Sequence, residues 1–125
     1  MATKIKINMY KISKEFHFSA SHQLFGLAPD HPCSRLHGHN YIFIFELESN
    51  RLNEYGFVKD YRELDNIKSY IDTVLDHRHL NDLFDFQPSA ENIARYMFEL
   101  FVIDIPDLKR VYVKETEKTI ASYGI

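Results

Sequence analysis

Cysteine is nearly absent. Cys33 is alone among 125 residues. That excludes a disulfide within the chain and any structural zinc site of the two-cysteine, two-histidine kind. Long apolar runs are also missing. No segment approaches the ~20 apolar residues needed to cross a bilayer. The opening stretch, MATKIKINMY, alternates charge and has no apolar block of the sort a secretory leader carries. A cytoplasmic, reducing compartment is therefore expected. Charge of one sign is scarce too. The formal net charge is −3 with seven neutral histidines, too mild to argue for a nucleic-acid or membrane-surface partner. There is no repeat, low-complexity run or linker, so residues 1–125 read as one domain.

What is present is apolar and aromatic. Hydrophobic residues make up 45% of the chain, with ten Phe and eight Tyr, enough for a core. Three regions alternate with period two and read as strands. Tyr10, Ile12, Phe16 and Phe18 share one face of the first. Tyr41, Phe43, Phe45 and Leu47 share one face of the second, with Ile42 and Ile44 on the other. Val111 and Val113 lead to Glu115 in the third. Residues 119–123 add a short fourth. Leu64, Ile67, Ile71, Val74 and Leu75 follow helical spacing, as do Ile93, Met97, Leu100 and Phe101. Ser89 stands at an N-cap position, with Glu91 in the first turn. The order is β-β-α-α-β-β, an α+β domain. The second strand is apolar on both faces over much of its length, so one face is expected to meet the helices and the other a second subunit.

The main chemical feature is Cys33-Ser34-Arg35-Leu36-His37-Gly38-His39-Asn40. Residues i and i+2 of a strand project to one face, so His37 and His39 can reach one ion. His22 ends the first strand. Antiparallel pairing brings that end near the start of the second, making His22 a third ligand. Imidazole nitrogen suits Zn²⁺, and three protein ligands leave a position open for water or substrate. Two histidines around a glycine are by themselves more often a surface turn, a reading that weakens once His22 falls at the matching strand end and Cys33 stands four residues upstream. Cys33 is open between a buried small hydrophobe, a fourth ligand, and a base or nucleophile; flanking Pro32, Ser34 and Arg35 point to a loop. Asp76 beside His77 can orient an imidazole for proton transfer, although Asp76-His77-Arg78-His79 also fits a polar helix terminus. His79 is a spare ligand candidate. Glu115 on an apolar strand face needs a partner and can accept two parallel hydrogen bonds from a planar N–H edge. An exposed strand-end carboxylate is the alternative.

These residues sit within F-S-A-S-H, C-x-x-x-H-G-H-N-Y, G-F-V-K-D-Y, L-D-H-R-H-L-N-D, P-S-A-E-N and V-K-E-T, in that order over nearly the whole chain. The sequence resembles the 6-pyruvoyltetrahydropterin synthase / 6-carboxytetrahydropterin synthase family. The three residues between Cys33 and His37 resemble its bacterial queuosine-pathway branch. The resemblance implies a tunnelling (T-fold) subunit: a four-stranded antiparallel sheet with two helices on one face, assembled as a homo-oligomer of trimers, commonly a hexamer. It implies Zn²⁺ held by His22, His37 and His39, Cys33 as proton-abstracting thiol, and Asp76 and His77 as proton relay. Glu115 would anchor a pterin ring, with Ser89 beside it where threonine is usual. The implied substrate is a small pterin triphosphate. A 6-pyruvoyl product and a non-catalytic pterin- or zinc-binding module are the rival readings.

Overall fold

The computed structural model describes residues 7–125. Residues 1–6, part of the charge-alternating N-terminal stretch, lie outside the described residues. Strands β1 (Tyr10–His22) and β2 (His37–Ser49) pair antiparallel along their whole length, from Tyr10 opposite Ser49 to His22 opposite His37. Directly opposed residues share a face. Phe16, Phe18, Ala20 and His22 therefore lie on one face with Phe43, Tyr41, His39 and His37. That face is buried, and Tyr41, Phe43, Phe45 and Leu47 are fully so. Phe18 stacks on Tyr41 at 5.0 Å, and Phe16 meets Phe45 edge-on at 5.5 Å. The expected alternation holds in both strands.

The first helical region is less regular than its spacing predicts. A 3-10 turn, Tyr61–Leu64, leads into α1 (Asp65–Tyr70), which widens into a π-turn at Ile71–Leu75. Leu64, Ile67, Ile71 and Leu75 are buried as expected. The Asp76 amide donates to the Ile71 carbonyl, and His77 then turns into the left-handed region at φ 59. This ends the helix. The His77 amide donates to Ser19 O at 2.6 Å, which lays the following residues along β1.

Those residues correct the expected sheet. Arg78–His79 form β3, parallel to β1 with Ala20 opposite Arg78 and Ser21 opposite His79. After α2 (Leu80–Leu83) and α3 (Ala90–Phe101), strands β4 (Leu108–Thr116) and β5 (Thr119–Gly124) complete a five-stranded sheet of order β3-β1-β2-β4-β5. The sheet is mixed, not four-stranded and antiparallel. The four long strands are the expected ones, and a two-residue pairing was too short to leave a periodic signal.

Helix α3 packs Ile93, Ala94, Met97, Phe98 and Phe101 into the core. Leu100, expected to be inside, is 38% exposed. At 100° per residue the buried stripe centres near Met97 and Phe101, and Leu100 falls roughly 90° to its side. Ser89 caps the helix as expected, its hydroxyl accepting from the Asn92 amide at 3.2 Å. The near end, where β1 finishes and β2 starts, faces the N-terminus of α3.

Candidate metal centre and active site

Three imidazoles converge at that near end. His22 is the last residue of β1, His37 the first of β2, and His39 lies two further on along the same face. Their potential ligand atoms all lie within 4.8 Å of one another. His22 Nδ1 is 2.7 Å from Pro88 O, and His37 Nδ1 is 2.6 Å from Arg35 O. A ring nitrogen facing a carbonyl oxygen carries the proton, so each ring keeps its Nε2 lone pair free. His22 Nε2 and His39 Nε2 are buried with no hydrogen-bond partner among the described residues. A buried orphan nitrogen is costly unless something binds it. Burial holds the pKa of both rings below 6.5, and His37 beside them adds to the depression, while Pro88 O opposes it at His22. Three converging imidazoles, two of them oriented by carbonyl oxygens and two with buried nitrogens lacking a hydrogen-bond partner, fit a borderline divalent cation such as Zn²⁺.

Acidic and phenolic groups border the three rings. Glu115 Oε2 lies 3.8 Å from His39 Nε2, and the carboxylate is largely buried. Burial raises its pKa above 4.5, and neighbouring Glu91 adds to this. His37 and the Ala90 amide act in the opposite direction. Glu115 is thus partly buried, not the exposed strand-end carboxylate of the alternative reading. The Tyr41 hydroxyl is also buried without a partner among the described residues, and burial pushes its pKa upward. The motif pattern carried a signal for Tyr41 that sequence reasoning assigned only to the core: it shares the face of His37 and His39 at the same two-residue step. A cavity of about 680 Å³ is lined by His39, Tyr41, Glu115, Asp76 and Ser19. A neighbouring one of about 470 Å³ adds His77 and His79.

The Asp76–His77 pair is anchored to β1. Asp76 Oδ1 accepts from the Ser19 amide at 3.0 Å, and Oδ2 lies 2.9 Å from His77 Nδ1. The Ser19 amide first, and His77 second, hold the Asp76 carboxyl below its usual range. His77 is solvent-exposed, with its Nε2 facing outward from the pair. His79 Nδ1 sits 2.9 Å from Ser21 Oγ and is not among the converging three.

Cys33 and Ser89 line neither cavity. Cys33 is half-buried in a short 3-10 turn, Pro32–Ser34, as its loop setting predicts. Its carbonyl accepts from the Leu24 amide at 3.0 Å, two residues past His22, but its side chain lines neither cavity. Ser89 is one residue beyond the Pro88 carbonyl that holds His22, and lines neither cavity.

A family model described as 6-pyruvoyl tetrahydropterin synthase matches residues 11–124. The chain belongs to that family. A 6-carboxy-5,6,7,8-tetrahydropterin synthase of Synechocystis is 38% identical over 127 aligned residues, covering 92% of this chain and 93% of the relative. A putative enzyme of the same name from Archaeoglobus fulgidus is 33% identical, covering 80% and 83%. The solved structure of a Caenorhabditis elegans 6-pyruvoyl tetrahydropterin synthase superposes with a TM-score of 0.82 at 27% identity, over 98% of this chain and 99% of that one. Membership gives the chain the family's tetrahydropterin-synthase type of function, and its α+β fold is that of the family. No helix among the described residues is long and apolar enough to cross a membrane.

Proposed function

We propose that the chain is a zinc-dependent lyase of the 6-carboxytetrahydropterin synthase type. It converts 7,8-dihydroneopterin triphosphate, with water, to 6-carboxy-5,6,7,8-tetrahydropterin, triphosphate and acetaldehyde, in queuosine (7-deazaguanine) biosynthesis. The observation that carries this reading is the convergence of His22, His37 and His39, with the buried Nε2 atoms of His22 and His39 lacking a hydrogen-bond partner among the described residues. The identity to the Synechocystis relative favours the carboxy product.

Each residue then has a task. His22, His37 and His39 hold the metal, their rings oriented by Pro88 O and Arg35 O at His22 and His37. Bound zinc supplies Lewis-acid polarisation of the substrate's side-chain oxygens. Cys33, as thiolate, removes a proton from substrate carbon. His77 returns or relays it through Nε2, since Asp76 holds the Nδ1 proton and favours that tautomer. Glu115 accepts the paired N–H groups of the pterin edge. Its burial strengthens those charge-assisted bonds. Ser89 uses one oxygen lone pair on the Asn92 amide and keeps its O–H for the ligand. The second face of β2 carries half-buried Ile42 and Ile44, which supports a homo-oligomer with trimeric barrels, hexameric when stacked. The likeness to the nematode structure keeps a 6-pyruvoyl product as the second reading.

The test is metal content and triphosphate release for the wild type and His37→Ala. About one zinc per chain and release by the wild type, with both lost in the variant, support the reading. Full release by zinc-free His37→Ala contradicts it.

A further inference from the structure

We infer that His31 is a positioning residue for the Cys33 thiol, acting as the cap of the turn that carries it. The inference rests on the role of Cys33 proposed above. The turn Pro32–Ser34 begins at His31, whose backbone is extended at φ −68 and ψ 130. The Cys33 amide donates to His31 Nδ1 at 3.0 Å. Pro32 has no amide proton, and the later amides of the turn are met by backbone: Ser34 N on His31 O at 3.0 Å and Arg35 N on Pro32 O at 3.2 Å. The His31 ring thus meets the one donor that the turn itself leaves open.

The opposite side of the turn is fastened independently. The Leu24 amide reaches Cys33 O at 3.0 Å, and Gln23 Nε2 donates to Ser34 O at 2.7 Å. Gln23 is itself held by Asn81, which accepts from its amide and donates to its carbonyl, both at 2.8 Å. These bonds bind the carbonyl side of Cys33 to the end of β1 and to α2. On the amide side the Cys33 N–H is held by the His31 ring, while Ser34 Oγ donates to His31 O at 2.7 Å and Pro29 O at 3.2 Å. With the Cys33 amide released, the peptide before the thiol can turn about the fixed carbonyl edge, and the thiol swings with it. With both held, the direction of the Cα–Cβ bond of Cys33 is set relative to His22, two residues before Leu24. A misdirected base lowers turnover without altering substrate binding or the metal.

A cap of this kind needs an acceptor at short reach. Ser, Thr, Asp and Asn are the usual residues, so Asn can replace the His31 ring with Oδ1 while Ala cannot. Because the chain has one cysteine, thiol alkylation reports Cys33 and nothing else.

The experiment compares the full-length, zinc-loaded wild type with His31→Ala, His31→Asn and Cys33→Ala. It measures steady-state turnover of 7,8-dihydroneopterin triphosphate and the rate of Cys33 alkylation by iodoacetamide. A lost cap predicts that His31→Ala lowers kcat about tenfold, with KM and zinc content near wild type, and that His31→Asn recovers to within about twofold. The alkylation rate changes in His31→Ala and returns in His31→Asn. Wild-type kcat and alkylation in His31→Ala overturn the inference, as does a His31→Asn variant no better than His31→Ala. Turnover by Cys33→Ala instead contradicts the role proposed for Cys33, while the alkylation pair still decides whether His31 sets the thiol's environment.

Discussion

His22 Nδ1 lies 2.7 Å from the carbonyl oxygen of Pro88, joining the last residue of β1 to the residue before the cap of α3. One contact therefore links a candidate metal ligand to the start of the longest helix. It fixes the His22 tautomer and makes the placement of the ring depend on how α3 begins.

The cap should report on the metal. Ser89→Ala removes the acceptor for the Asn92 amide and is expected to cost about 1 kcal/mol of stability. It should also release zinc faster to a chelator, because Pro88 O loses its fixed position. Ser89→Asp, which restores an acceptor, should recover stability. Urea unfolding and chelator competition measure the two effects.

Asp76 should give a pH signature. Its carboxyl is held below the ordinary value of 3.8, so the folded state favours the ionised form. The resulting stability is fully present above that ordinary value and is lost as pH falls through the lower folded one. Asp76→Asn is expected to be less stable than wild type near pH 7, with the difference closing in acid below about pH 4. Turnover should fall roughly a hundredfold, since His77 loses the group that orients it. Unfolding curves across pH, with kcat at pH 7, check both.

Glu115 should show the opposite balance. Burial raises its pKa, so the ionised carboxylate costs the fold something at neutral pH. Glu115→Gln removes that charge and is expected to leave Tm unchanged or higher, while KM for the pterin rises about tenfold or more through loss of a charge-assisted pair. Thermal unfolding beside substrate titration separates the two. A lower Tm with unchanged KM would show a structural carboxylate.

Much of the fold was legible because alternation in β1, β2 and β4 is strong, with Phe16, Phe18, Phe43, Phe45, Val111 and Val113 all buried. The His22, His37 and His39 cluster was legible for the same reason: strand parity and antiparallel register together place three imidazoles. Features without a period were not. The Arg78–His79 pairing rests on one left-handed residue, His77, and one backbone bond to Ser19. The π-turn at Ile71–Leu75 preserves an apolar stripe that looks like ordinary helix. Tyr41 was read as core because a buried aromatic ordinarily is; only its unpartnered hydroxyl beside Glu115 and His39 marks it otherwise. Cys33 and Ser89 were found by motif, and their relation to the metal site depends on backbone bonds that residue spacing does not reveal.

The central claim is the reaction. The most direct measurement is mass spectrometry of products after the zinc-loaded protein is incubated with 7,8-dihydroneopterin triphosphate. Triphosphate, acetaldehyde and 6-carboxy-5,6,7,8-tetrahydropterin are the expected products. Triphosphate with a 6-pyruvoyl product and no acetaldehyde would contradict the carboxy assignment, and recovery of unchanged substrate would contradict the enzyme itself.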